Sequence, residues 1–140
     1  MKFRVLAALV ALVLASGVAA APPVATARPV APAAIPAASP PELEAALKAG
    51  VPVIVEFGGE YCIPCMQMQP VLRDLQALLG KRGRVVNFWI RSHPEVARQH
   101  RIMAMPTQVI FDAKGQEVFR HMGYFPRSEF EKVLKAKGLL

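Results

Sequence analysis

Two kinds of apolar pattern alternate along this chain, and together they predict its secondary structure. Residues 51–57 and 84–90 are apolar runs rich in β-branched side chains, which indicates two buried strands. Residues 107–111 and 117–122 predict two further strands, joined by a turn that ends in Gly115. The pattern therefore predicts two buried strands followed by a hairpin.

Helices are predicted between and around these strands, from apolar positions three or four residues apart or from residues that favour a helix end. They span residues 41–49, 62–79, 94–100 and 126–137. Strands that alternate with helices imply parallel neighbours in a central sheet, and the hairpin adds an antiparallel edge. We therefore expect an α/β fold, with a central mixed sheet of about four strands flanked by helices.

The first 20 residues are typical of a secretory signal. Lys2 and Arg4 supply a positive start before an unbroken apolar run from Val5 to Ala15. Val18-Ala19-Ala20 then offers the small residues that a signal peptidase needs. We therefore expect residues 1–20 to be a signal peptide and the protein to be periplasmic or otherwise exported, tethered to a membrane if the signal stays uncleaved.

The segment that follows has a different composition, with seven prolines and eight alanines in residues 21–41. Such a segment cannot bury enough apolar surface to fold, and its prolines stiffen it into an extended spacer. We therefore expect a disordered linker over residues 21–41 and one folded, monomeric domain over residues 42–140.

Charge adds little to this picture. The formal net charge is +7, but the basic residues are scattered singly apart from the turn Lys81-Arg82-Gly83-Arg84. A surface that binds nucleic acid would show a clustered basic stripe with interleaved aromatic residues. The sequence therefore favours an ordinary solvated surface and no nucleic-acid partner.

The chain has only two cysteines, Cys62 and Cys65, spaced C-x-x-C directly after a predicted strand and at the start of a predicted helix. Unpaired N–H groups and the positive end of the helix dipole stabilise a thiolate at such a position. Cys62 is the outer residue and is expected to be the nucleophile. Cys65 lies one turn further in, where it can attack a mixed disulfide at Cys62 and release the partner.

Other roles for the two cysteines are weaker. A structural disulfide that closes so short a loop constrains the unfolded chain little, and a zinc site would want four ligands. A Cu(I)-binding module is the alternative from another class, because soft or borderline ligands accompany the cysteines. These are Met66, Met68, Met103, Met105 and His121.

Several motifs in order resemble the thioredoxin family from about Val51 to the C-terminus. The strand 53–57 leads into Cys62-Ile63-Pro64-Cys65, and Pro70 follows five residues after the second cysteine. Met105-Pro106-Thr107 looks like the family's cis-proline turn, and Gly123 matches its late glycine. The resemblance implies a thioredoxin fold whose only redox group is the Cys62–Cys65 disulfide, with no other cofactor and no metal.

The resemblance also implies roles for residues around the cysteines. Glu56 occupies the place of the family's buried acidic residue, where it would accept a proton from Cys65. The backbone of Met105 would pair with a substrate segment as an added strand, with Pro106 packed beside the cysteines. The expected partner-binding residues are Tyr61, Ile63, Pro64, Met105 and Pro106.

Three residues depart from the family pattern. Tyr61 stands where thioredoxins usually have Trp, Asn87 where a lysine often pairs with the buried acid, and Arg91 where aspartate is common. These changes leave the expected fold untouched but weaken any inference about inherited partners.

The residues between the cysteines favour a reductant. The side chains of Ile63 and Pro64 cannot donate a hydrogen bond to a sulfur, so the disulfide should be comparatively stable. An exported reductant with no nucleotide motif needs an outside source of electrons, and the resemblance to exported thioredoxins implies that a membrane thiol transporter supplies them. Its clients would be proteins with disulfides, such as apocytochrome c or wrongly oxidised proteins.

Overall fold

A computed structural model describes residues 34–140 of the chain. The expected signal peptide and most of the expected linker lie outside these residues. The elements are α1 (Pro40–Leu47), β1 (Val53–Gly58), α2 (Ile63–Leu79), β2 (Arg84–Trp89), α3 (Pro94–Gln99), β3 (Thr107–Phe111), β4 (Glu117–Met122) and α4 (Arg127–Ala136). No helix in this part of the chain is long and apolar enough to cross a membrane.

The four strands form one mixed sheet in the order β2-β1-β3-β4. Strand β1 pairs in parallel with β2 and antiparallel with β3, and β3 pairs antiparallel with β4. This confirms the predicted α/β class and the mixed sheet. All six residues of β1 are buried, which explains why its sequence is an apolar run rather than an alternation.

The two faces of the sheet carry separate apolar layers, because successive side chains of a strand point to opposite faces. One layer joins α1 and α3 to the sheet through Leu43, Val55, Phe57, Val96 and Val109. The other joins α2 and α4 to the sheet through Ile54, Leu72, Leu75, Phe130 and Leu134. Glu56 follows Ile54 by two residues in β1, so its carboxyl lies on the α2 and α4 face.

The ordered domain begins earlier than its expected start at residue 42. The N–H of Ile35 donates to Oε1 of Gln69 at 3.1 Å, and its carbonyl accepts from Nδ2 of Asn87 at 3.0 Å. The N–H of Ala38 donates to the carbonyl of Asn87 at 2.8 Å. Strand β2 lies at the edge of the sheet, where some of its backbone N–H and C=O groups are not paired with another strand. The last residues of the proline-rich segment form hydrogen bonds with this edge.

Candidate active site

Both cysteines lie at the N-terminus of α2 and are joined by a disulfide bond. Cys62 is the N-cap residue, with an extended backbone, and its Sγ accepts a hydrogen bond from the N–H of Cys65 at 3.3 Å. Pro64 lies in the first turn, where its missing N–H leaves no helix hydrogen bond unmade. The N–H of Cys65 therefore points at the Cys62 sulfur, where it and the positive end of the helix dipole would stabilise a thiolate.

The turn before β3 lies against the loop that leads to the cysteines. The Met105-Pro106 bond is cis, as predicted. The Met105 sulfur lies 3.0 Å from the position that a Cβ on Gly59 would occupy, so the Met105 side chain packs directly on the backbone of this glycine. The carbonyl of Pro106 accepts from the N–H of Gly123 at 2.8 Å, which brings the end of β4 to the same turn.

The residues expected to bind a partner differ in their exposure. Tyr61 and Ile63, on either side of Cys62, are 82% and 67% exposed. Pro64 and Met105 are half-buried, and Pro106 is buried. Their role in binding stays a prediction.

Two further exposed apolar residues lie in the segments that form the cis-proline turn. Met103 is 88% exposed two residues before Met105, and Tyr124 is 48% exposed next to Gly123. Sequence reasoning considered Met103 only as a copper ligand and did not consider Tyr124. Only their positions in the sequence could have indicated them: Met103 lies two residues before Met105, and Tyr124 follows Gly123.

Glu56 is fully buried, and neither of its carboxyl oxygens has a hydrogen-bond partner among the described residues. Burial raises the pKa of this carboxyl from its ordinary value of 4.5 to about 8, because it penalises the charged form. The expectation that this acid is buried and holds its proton tightly is confirmed. Its role in catalysis is a separate question.

The carboxyl of Glu56 lies close to the inner cysteine. A Cβ on Gly58 would stand 3.2 Å from Glu56 Oε1 and 3.2 Å from Cys65 Sγ. Both atoms therefore border the same space, which exists because residue 58 has no side chain. Transfer of a proton between the sulfur and the carboxyl across this space stays a prediction.

The neighbours of Glu56 in the sheet are both amides. Asn87 is its register partner in β2, and the amide of Asn87 is already engaged with the carbonyl of Ile35. Asn87, which stands where the family often has a lysine, is therefore not bonded to Glu56. Gln108 is the register partner in β3 and is fully buried. Sequence reasoning did not single out Gln108, although a glutamine within the apolar strand Thr107–Phe111 was a visible signal.

The residues suggested for a Cu(I) site differ in their exposure. Within residues 34–140, no group of three or more His, Cys, Asp or Glu is placed to hold a metal ion. The Cu(I) alternative depends on methionines, of which Met66 and Met103 are exposed and Met68 is buried. It stays an untested prediction.

Comparisons with known proteins agree with this geometry. The sequence model of the thioredoxin-like domain family matches residues 40–138. The chain is 32% identical over 89 residues to thioredoxin from Alicyclobacillus acidocaldarius subsp. acidocaldarius, covering 64% of this chain and 84% of that protein. It is 31% identical over 93 residues to thioredoxin from Rhodospirillum rubrum, covering 66% and 88%.

Solved structures show the same fold. Chloroplastic thioredoxin z superposes with a TM-score of 0.66 at 22% identity, covering 74% of this chain and 94% of that one. Thioredoxin NaTrxh from Nicotiana alata superposes with a TM-score of 0.58 at 25% identity, covering 68% and 80%. The four-stranded mixed sheet with flanking helices is therefore the thioredoxin-like fold.

The raised pKa of Glu56 makes stability depend on pH. Between pH 4.5 and about 8 the folded protein holds a proton that the unfolded chain releases. The contribution of Glu56 to the free energy of unfolding is therefore fully present below pH 4.5. It is lost as pH rises through about 8, at up to about 1.4 kcal/mol per pH unit. Glu56→Gln should remove this slope, as measured by urea unfolding of the oxidised protein at a series of pH values.

Glu60→Gln is the matched control, because it removes a carboxyl that is exposed four residues later. It should keep the wild-type slope. If the free energy of unfolding of Glu56→Gln falls with pH as steeply as that of the wild type between pH 4.5 and about 8, the raised pKa is contradicted.

Proposed function

The chain belongs to the thioredoxin-like domain family and is a thioredoxin-type disulfide oxidoreductase, and from this premise we propose that it is an exported protein-disulfide reductase. The observation that carries the proposal is the Cys62–Cys65 disulfide at the start of α2. Beside Cys65 lies the Glu56 carboxyl, which has no hydrogen-bond partner within residues 34–140. Exposed apolar residues on the same surface give a client protein a place to dock.

The reaction begins with the reduced protein. The Cys62 thiolate attacks one sulfur of a client disulfide, which forms a mixed disulfide and releases the other client sulfur as a thiolate. Cys65 then transfers its thiol proton to the Glu56 carboxylate and attacks Cys62 Sγ. The Cys62–Cys65 bond forms as the bond to the client breaks, so the client gains two electrons and the dithiol is oxidised. The resulting disulfide is the state that the structure contains.

Glu56 suits the role of proton acceptor because its pKa of about 8 lies close to that of an ordinary thiol. Proton transfer between groups of similar pKa needs little driving force in either direction. The carboxyl can accept the proton as Cys65 attacks and can return it when the disulfide is reduced again.

Client binding is assigned to the surface around the cysteines. Tyr61 and Ile63 flank Cys62, and Met103 and Met105 belong to the cis-proline turn. An extended client segment would pair with the backbone of Met105 and lay apolar side chains on this surface. Flexible, polarizable methionines fit clients of different shapes, and several clients are expected of a general reductant.

The direction of electron flow follows from the residues between the cysteines. Ile63 and Pro64 offer no side-chain donor to the Cys62 thiolate, so only the helix terminus stabilises it. A thiolate with little stabilisation gives up electrons readily, which favours a reductant. We propose that a membrane thiol transporter supplies the electrons and that clients are exported proteins with disulfides, among them apocytochrome c.

The role of Cys62 as the nucleophile can be tested directly. Reduced protein should cleave insulin disulfides, and Cys62→Ser should lower the rate to the uncatalysed background because it removes the attacking sulfur. Cys65→Ser is the matched control: it should still form a mixed disulfide with insulin but fail to release it, as seen on non-reducing gels. Insulin reduction by Cys62→Ser at the wild-type rate would overturn the assignment.

The redox potential of the couple tests the direction. The protein should stay mostly oxidised in glutathione buffer at a poise of about −180 mV, as thioredoxin does with a potential of about −270 mV. A strong oxidant of this family, at about −120 mV, would be mostly reduced there. Alkylation of free thiols followed by mass spectrometry measures the two forms. A mostly reduced protein would refute the reductant proposal.

Export rests on the sequence of residues 1–20 and needs its own test. Full-length protein expressed in a Gram-negative host should be recovered from the periplasm with a new N-terminus near residue 21, as read by N-terminal sequencing. Replacing Lys2 and Arg4 with glutamate removes the positive start and should leave the uncleaved protein in the cytoplasm. Cytoplasmic, full-length wild-type protein would rule out the expected signal.

A further inference from the structure

Gln108 is a buried polar residue with no structural partner. It is fully buried in the middle of β3, and neither Nε2 nor Oε1 has a hydrogen-bond partner among the described residues. A buried polar group left without a partner lowers stability. An apolar residue of the same size would stabilise the fold better, so packing does not explain a glutamine at this position.

The position of Gln108 relates it to Glu56. The two residues are register partners across the antiparallel pair of β1 and β3. Side chains at such positions have Cβ atoms about 4.5–5.5 Å apart, so rotation about side-chain torsions is enough to join an amide to a carboxyl. Both side chains are without partners, and no other pair of buried side chains in residues 34–140 shares this condition.

The other groups around Glu56 are either engaged or apolar. Strand β2 presents Asn87, whose amide is engaged with Ile35, and α2 presents the Cys65 sulfur. Strand β4 contributes His121 one register beyond Gln108, where its ring stacks on Phe125 with centroids 4.2 Å apart. From α4, the buried residues are Phe130 and Leu134. Cys65 and His121 are thus the titratable groups on this face, and Gln108 supplies the free amide nearest in register.

We propose that Gln108 is a positioning residue that holds the Glu56 carboxyl in both protonation states during release of the client. An amide can serve both states, because its NH₂ group donates to a carboxylate and its carbonyl accepts from a protonated acid. The proton still moves from Cys65 Sγ to Glu56, and Gln108 neither gains nor loses one. The proposal rests on the proposed role of Glu56 as the proton acceptor.

Removing the amide should affect one step only. Without the amide donor, the charged form of Glu56 is less stable relative to the neutral form, so Glu56 keeps its proton up to higher pH. A smaller fraction of the protein then has an ionised carboxylate that can accept the proton of Cys65. Gln108→Met, which keeps the length of the side chain, should slow client release roughly tenfold below pH 8. The pH midpoint of this step should rise by about one unit. Attack by Cys62, which does not involve Glu56, should keep its rate.

The experiment is stopped-flow single turnover of reduced protein with fluorophore-labelled insulin, across a pH series that brackets 8. Wild type, Gln108→Met, Glu56→Gln and the double variant form a cycle. The slowing by Gln108→Met should disappear in the Glu56→Gln background, because the amide acts only through the carboxyl. Urea unfolding should show Gln108→Met to be at least as stable as the wild type. Gln108→Leu, a second apolar replacement, should give the same result.

Asn87→Leu is the matched control on the opposite side of Glu56. It removes an amide that holds Ile35, so it can lower stability but should leave the pH midpoint of release in place. Wild-type release and midpoint in Gln108→Met, with slow release in Glu56→Gln, would overturn this inference and leave the proposed function standing. Wild-type release in Glu56→Gln would overturn the role of Glu56 itself. Equal slowing by Gln108→Met in both backgrounds would show a general structural effect and would also overturn the inference.

Discussion

Burial of β1 on both faces is the constraint on which the rest of this structure depends. All six residues of the strand are buried between β2 and β3, so its alternate side chains supply both apolar layers. The same burial separates from water the one carboxyl that the strand carries, and this raises the pKa of Glu56 to about 8. Burial of β1 thus both builds the core and raises the pKa of Glu56.

The end of this strand also decides where the reactive groups lie. A side chain at Gly58 would stand 3.2 Å from both Cys65 Sγ and Glu56 Oε1, and one at Gly59 would stand 3.0 Å from the Met105 sulfur. Two consecutive glycines therefore leave room for the Cys65 and Met105 side chains next to the end of β1. The disulfide and the exposed apolar residues consequently lie at the C-terminal end of β1, next to the buried carboxyl.

A row of polar residues crosses the otherwise apolar face of the sheet beneath α2. Asn87, Glu56, Gln108 and His121 occupy one register across the four strands. The outer two have contacts: Asn87 holds the carbonyl of Ile35, and Nε2 of His121 lies 3.3 Å from the carbonyl of Tyr124. The inner two have none among the described residues. Unpartnered groups at the centre of a core lower stability, so packing does not explain them, and this is why we propose that they act in proton transfer.

By itself, the sequence determined the features that depend on neighbouring residues. Strands β3 and β4 have the predicted bounds, and the helices differ by one or two residues at their ends, because side-chain period and turn residues act locally. The placement of Cys62 and Cys65 at a helix start was equally local. Only the tertiary structure decided that Gln108 lies beside Glu56 and that Ile35 attaches to Asn87. Such contacts join residues far apart in the chain, and they exist only because the sheet makes neighbours of their strands, which composition and periodicity do not encode.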